Sequence, residues 1–287
     1  MPGPSPLLPW NGARDALRAR IAGQVRSVIS GQSEKRALAP AGPGFYPPGS
    51  VIRAVHADVT SMMTGGITAL LLQMLHPLAL AGVLGHSNFR SDMQGRLQRT
   101  ARFIAVTTYG SREAAEAAIA RVDSIHARVL GVTAEGAPYS ARDPQLLAWV
   151  HLAESWSFLS AYRRYVRPGM PKADRDAYYA QSALVARKLG ASPVPETEAE
   201  AEELMRRYRP DLRVSGETNE VARLVLAPVR DHHPAARLMA EAAIDLLPQW
   251  AAEMLGLRRR TLSALPVRAA TFAGAATLRW AFRQPSK

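Results

Sequence analysis

The 287-residue chain contains no cysteine. Disulfides, zinc–thiolate sites, iron–sulfur clusters and thiol catalysis are thereby excluded, and a haem could be held only without thioether bonds. Histidine, carboxylate and hydroxyl groups must carry any metal or acid–base chemistry. Lysine is also scarce. Only Lys35, Lys172, Lys188 and Lys287 are present among 36 basic residues, and the rest are arginine. No charged residue occurs between Asp58 and Arg90. There is no Gly-rich phosphate loop after a strand, no His-Glu-x-x-His and no Gly-x-Ser-x-Gly, so nucleotide-binding and classical hydrolase chemistry lack their motifs.

The net charge of +12 raises the question of nucleic acid. The arginines, however, are interleaved with acids along the chain, as at Arg112–Glu113 and Glu203–Arg206. No zinc-finger or RNP-like motif accompanies them, and no nucleic-acid partner is expected. The opening "MPGPSPLLPW" lacks the basic and apolar regions of a signal peptide, which predicts a cytoplasmic protein. "GGITALLLQMLHPLALAGVLGH" is long enough to cross a bilayer. Its Gln73, His76, Pro77 and His86 argue for a pair of core helices broken at Pro77 instead. No transmembrane span is expected, and peripheral membrane contact stays open.

What the chain does contain is helical periodicity, with few alternating stretches and no internal repeat. A helical arm with Leu17, Ile21 and Val25 on one side precedes a Pro- and Gly-rich connector, "ALAPAGPGFYPPGS". Helices follow over 51–63, 66–84 (interrupted at Pro77) and 93–109. The next is capped by Ser111 and ends near Gly131; another opens on Asp143–Pro144. Further patterns cover 171–190, 196–208, 216–228, 233–256 and 265–283. The expectation is an all-α protein, with residues 1–44 as arm and connector and 45–287 as one helical domain.

Within this pattern, Ile119, Val122, His126 and Val129 are spaced 3, 4 and 3, which forms a single stripe. A lone imidazole there serves either as a core residue bonded to a backbone carbonyl or as an axial ligand to haem iron. Arg96 and Thr100 lie one turn apart on a neighbouring helix. They are either part of a solvated basic edge with Arg99 and Arg102, or a guanidinium and a hydroxyl entering a pocket together. His76 and His86 either border a cavity or satisfy local backbone groups. His151 is followed one turn on by Glu154. A di-iron bundle would need two Glu-x-x-His motifs, and only Asp123-x-x-His126 approaches one. His232–His233, before a proline, reads as a loop or helix start.

Three stretches together carry a family resemblance: "LLLQMLHPLALAGVLGHSNFRSDMQGRLQRT", "RVDSIHARV" and "YSARDPQLLAWVH". Over about residues 45 to 260 the chain resembles the catalytic domain shared by rubber oxygenases (latex-clearing proteins) and the oxygenase of mycophenolic acid biosynthesis. The resemblance implies an all-α fold with a globin-like core and additional helices, and a b-type haem on one proximal histidine. Carried over by position, that histidine is His126, and the family's Arg-x-x-x-Thr pair is Arg96 and Thr100, near the haem.

Two departures matter. The expected absence of a secretion signal argues against extracellular rubber as substrate. Arg99 stands where rubber oxygenases can carry a distal lysine ligand, and a guanidinium stays protonated and ligates iron poorly. The motifs do not place the family's catalytic glutamate. The resulting expectation is a haem b-dependent oxygenase acting with dioxygen on a small apolar, isoprenoid-like substrate. His126 would bind iron, Arg96 and Thr100 would shape the oxygen side, and His76 and His86 would border the pocket. The alternative is a non-catalytic haem- or lipid-binding helical protein. Nothing in the sequence sets the oligomeric state.

Overall fold

The computed structural model describes residues 42–257 apart from 88, 91, 232 and 233. The helical arm, the 265–283 pattern and His232–His233 lie outside the described residues. Eleven α-helices occur among those described. They are α1 (Val51–His56), α2 (Val59–Gln73), α3 (Pro77–His86), α4 (Met93–Tyr109), α5 (Arg112–His126), α6 (Pro144–Tyr165), α7 (Lys172–Lys188), α8 (Glu198–Tyr208), α9 (Gly216–Asp231), α10 (Pro234–Leu246) and α11 (Gln249–Met254). The chain is all-α, as its periodicity indicates.

Local chemistry sets most helix starts. Asp58, Asp92, Ser111, Asp143 and Thr197 each place a side-chain oxygen on a backbone N–H of the first turn, filling donors that a helix cannot satisfy itself. The Asp58 cap splits the stretch read as one helix over 51–63 into α1 and α2. Pro248, which N-caps α11, likewise divides the pattern over 233–256.

The sequence reading also missed a small hairpin. α5 ends at His126 rather than near Gly131, and β1 (Leu130–Val132) pairs antiparallel with β2 (Pro138–Ser140) around a turn containing Gly136 at φ +85°. Three-residue strands are too short for their alternation to stand out from helical periodicity.

The core is organised around α2 and α6. α2 is buried almost all round, from Thr60 through Gln73, and α6 buries Trp149, Leu152, Phe158 and Leu159. The two helices approach closely at Gly65. A Cβ there would stand 2.9 Å from the Phe158 ring and 3.0 Å from the Ser157 carbonyl oxygen. On the other side of α2, the Thr68 hydroxyl donates to the backbone oxygen of Ala243 on α10, at 3.1 Å. No single helix among the described residues is long and apolar enough to cross a membrane. α2 and α3, the uncharged pair, meet at an angle of 106°.

The Gly65 contact gives a paired test. Gly65→Ala gains helix propensity but forces a methyl against backbone and ring, so a net destabilisation of about 1–3 kcal/mol is expected. Gly66→Ala, where the nearest atom to a new Cβ is 3.9 Å away, should stabilise by up to about 1 kcal/mol. Urea unfolding of both variants measures the difference, and equal behaviour would mean that the helices do not meet at Gly65.

Candidate functional site

α4 carries Arg96 and Thr100 on one face, both half-buried. Arg99, one turn from Arg96, points outward and pairs with Asp92 at 3.0 Å. Arg96 behaves differently. Its side chain makes no hydrogen bond, and no ion pair within 4 Å, among the described residues. Desolvation pulls its pKa below the ordinary arginine value, Glu154 opposes that, and Arg99 adds to it. A guanidinium so placed still carries its charge. It is a cation partly withdrawn from water without a direct partner among the described residues, a costly arrangement unless something else meets it.

His126 is the last residue of α5 and is half-buried. Burial holds its pKa below the usual histidine value. Asp123 raises it, while Arg96 and Arg142 lower it further. The imidazole is therefore neutral near neutral pH, the state in which it donates a lone pair to a metal. Asp123 does not hold the ring in place: both of its oxygens are taken by Arg142, at 2.9 and 2.6 Å. The helical stripe is graded, with Ile119 buried and Val122, His126 and Val129 half-buried.

A residue set aside by motif reasoning lies on the other side of Arg96. Glu154 on α6 accepts a 3.2 Å hydrogen bond from the Gln73 amide of α2, which also donates toward the Val150 carbonyl at 3.4 Å. The Gln73 carbonyl oxygen in turn accepts from the Trp149 indole at 3.3 Å. Desolvation pushes the Glu154 carboxyl up to about 7, against the pull of Gln73 and Arg96. One turn before it, burial drives His151 down to about 4, and its Nε2 has no hydrogen-bond partner. The signal for Glu154 was the His151-x-x-Glu154 spacing, but its partner Gln73 is 81 residues away in sequence.

The other histidines have local duties. His76 caps α3, its Nδ1 accepting from the Leu78 N–H at 3.3 Å, and its ring packs against Trp149 and Tyr208. His86 is exposed at the end of α3, with Nε2 3.2 Å from the Tyr139 hydroxyl. His56, which the motifs did not single out, is buried between the Thr108 hydroxyl (2.8 Å) and the Tyr178 hydroxyl (3.2 Å), and is pushed down to about 3. Among the described residues no three His, Asp or Glu side chains converge as a metal cage. A haem iron held through one axial imidazole does not need such a cage.

The arrangement leaves donors and acceptors open to a bound group. It offers neutral imidazoles at His126 and His151 with free ring nitrogens, and a desolvated guanidinium at Arg96 with no carboxylate of its own. The catalytic-domain family described as ER-bound oxygenase mpaB/B'/Rubber oxygenase matches residues 53–280, and the chain belongs to that family. Among solved structures, Latex Clearing Protein LCP in the closed state is similar in fold. The two share 16% identity at a TM-score of 0.57, over 96% of this chain and 85% of that one. No curated protein matches.

The Glu154 environment makes a pH prediction. Its folded pKa of about 7 exceeds the value of about 4.3 expected when unfolded, so the folded state binds the extra proton between those limits. Its contribution to stability therefore falls as pH rises through that window, by at most about 1.4 kcal/mol per pH unit. Glu154→Gln removes the effect, so the variant should gain on the wild type as pH rises from about 4.3 to about 7 in urea unfolding. Parallel stability–pH curves would show that Glu154 is not shifted. Burial of His56 and His151 acts in the opposite sense, adding stability as pH rises toward 6.5, and is common to both proteins.

Proposed function

We propose that this chain is a haem b-dependent oxygenase that uses dioxygen to oxidise a small apolar, isoprenoid-like substrate in the cytoplasm. The observation that carries the reading is Arg96: a desolvated guanidinium without a direct ion partner, in the electrostatic field of both His126 and Glu154. Family membership supports the oxygenase class, and the chemistry of the side chains supports the cofactor. Haem b, when bound, supplies the iron at which dioxygen is activated.

The protein's own part follows from its residues. His126 would hold the iron through a neutral imidazole nitrogen, kept neutral by burial and by the Arg96 and Arg142 charges. Arg96 offers a planar fork of N–H donors for a propionate or for an oxygen atom in the pocket, and the Thr100 hydroxyl stands one turn further along. Half-buried Leu97 and Ile104 on the same helix provide apolar surface. Glu154, near 7, is able to give up and recover a proton at neutral pH, with Gln73 fixing its orientation. His76 and His86 serve the helix cap and the hairpin contact and are the outer members of the predicted set.

The test is the visible spectrum. Purified or hemin-reconstituted protein should show a Soret band. His126→Ala should lose most of its haem with far-ultraviolet circular dichroism intact, because alanine is a good helix former. Full haem and an unchanged spectrum in that variant would remove His126 as ligand and bring His151 forward. Arg96→Lys should disturb haem retention and the ferrous-oxygen spectrum more than Arg102→Lys does, since an ammonium does not reproduce a planar fork. Wild-type protein that takes up no hemin would overturn the reading and favour a lipid-binding role for the same helices.

A further inference from the structure

We propose that the outer face of the β1–β2 hairpin, with the end of α5 that leads into it, docks on an anionic phospholipid bilayer.

The hairpin has two unlike faces. In its register Gly131 pairs with Tyr139, Leu130 with Ser140 and Val132 with Pro138. Paired residues share a face, and successive residues alternate. The Gly131–Tyr139 face is the inner one. Tyr139 lies over α3, where a Cβ on Gly82 or Gly85 would meet its ring or hydroxyl at 3.8 and 3.1 Å, and Val129 lies 3.5 Å from the same Gly82 position. Leu130, Val132 and Pro138 therefore occupy the face turned away from the protein. Leu130 is 59% and Val132 64% exposed, and Ile125, on the last turn of α5, is 44% exposed. Of the four large hydrophobics most exposed among the described residues, three fall within this eight-residue stretch, and Leu184 on α7 is the other. A scattered exposed leucine means little, whereas a cluster on a protruding hairpin marks a contact surface.

Charge selects the partner. Arg121 and Ile125, four residues apart, lie on one stripe of α5, and Arg128 follows in the turn just beyond its end. Both arginines are exposed and have no carboxylate within 4 Å among the described residues. The nearest acid on α5, Asp123, is neutralised by Arg142; Glu135, in the hairpin turn, is the one further acid of this stretch. Apolar side chains at the tip with arginines on its flank form the pattern that inserts at a headgroup boundary and pairs with phosphate above it. A protein partner would be expected to present carboxylates to these arginines; the bilayer presents phosphates and an apolar interior together. The surface takes in the end of α5 at His126, so a bilayer here would bring that end beside a reservoir of apolar molecules. The docking itself does not depend on haem.

Flotation of the purified full chain with phosphatidylcholine vesicles, with and without phosphatidylserine, tests this. The wild type should float with the phosphatidylserine vesicles and be released by salt. The Leu130→Asp/Val132→Asp and Arg121→Gln/Arg128→Gln double variants should each bind at least roughly tenfold more weakly. Their circular dichroism should match the wild type, because all four side chains are exposed. Leu184→Asp should float normally, and so should His126→Ala whatever its haem content, which separates this result from the haem reading. Wild type that does not float, or double variants that float like the wild type, would overturn the proposal. A wild-type dimer that becomes monomeric in Leu130→Asp/Val132→Asp, without flotation of the wild type, would assign the face to a second copy and also overturn it.

Discussion

The close crossing of α2 and α6 is the constraint on which the rest depends. Without a side chain at Gly65, the Phe158 ring and the Ser157 carbonyl reach the α2 backbone, and two apolar helices bury each other along their length. That contact removes α2 from water on nearly every side and leaves few places for polar groups. Some of the buried hydroxyls and amides find partners on neighbouring helices. Thr68 bonds α10, and Gln73 bridges its own helix to Trp149 and Glu154. The sharp turn at Pro77 follows, because the chain leaves the interface at the end of α2 and must pack α3 over its flank.

Electrostatics divides the molecule into a paired exterior and an unpaired interior. Most ion pairs, such as Arg90–Glu220 and Arg207–Glu203, are well exposed and contribute little to stability. A few are drawn inward. Arg164 meets the Asp245 carboxylate, whose side chain is 5% exposed, and Glu198 receives both Arg163 and Arg175. Arg96 and Glu154 stand apart from this pattern. They influence each other but do not close into a pair, so each retains unspent hydrogen-bonding capacity. A structure optimised for stability alone would pair them or replace them with apolar residues. Their charges act on each other without direct contact, and that is the electrostatic character of this part of the molecule.

The family relation and the structural likeness bear on different levels of the account. Membership in the oxygenase family concerns the sequence from residue 53 onward, whereas the match to the latex-clearing protein at 16% identity concerns the helical architecture. Neither bears on side-chain detail, such as Arg99 tied to Asp92 and a glutamate on α6 held by a glutamine on α2.

The sequence by itself determined the helical class, most helix starts and the pairing of functional groups within one helix. Asp92, Ser111 and Asp143 cap where their side chains satisfy first-turn N–H groups, and Pro144 fits the first turn, because these are local interactions. Arg96 and Thr100 share a face because helical geometry fixes residues four apart. Only the tertiary structure decided what crosses between helices. The Gln73–Glu154 bond, the engagement of Asp123 by Arg142 and the coupling of Arg96 to both His126 and Glu154 join segments far apart in the chain. The hairpin also belongs to this class: its three-residue strands carry too little pattern to declare themselves, and its inner face exists only because α3 lies beneath Tyr139. Local rules reach about one turn along the backbone. The desolvation that sets the protonation of Glu154, His151 and His126 is a property of everything packed around them, and it arises only when the helices assemble.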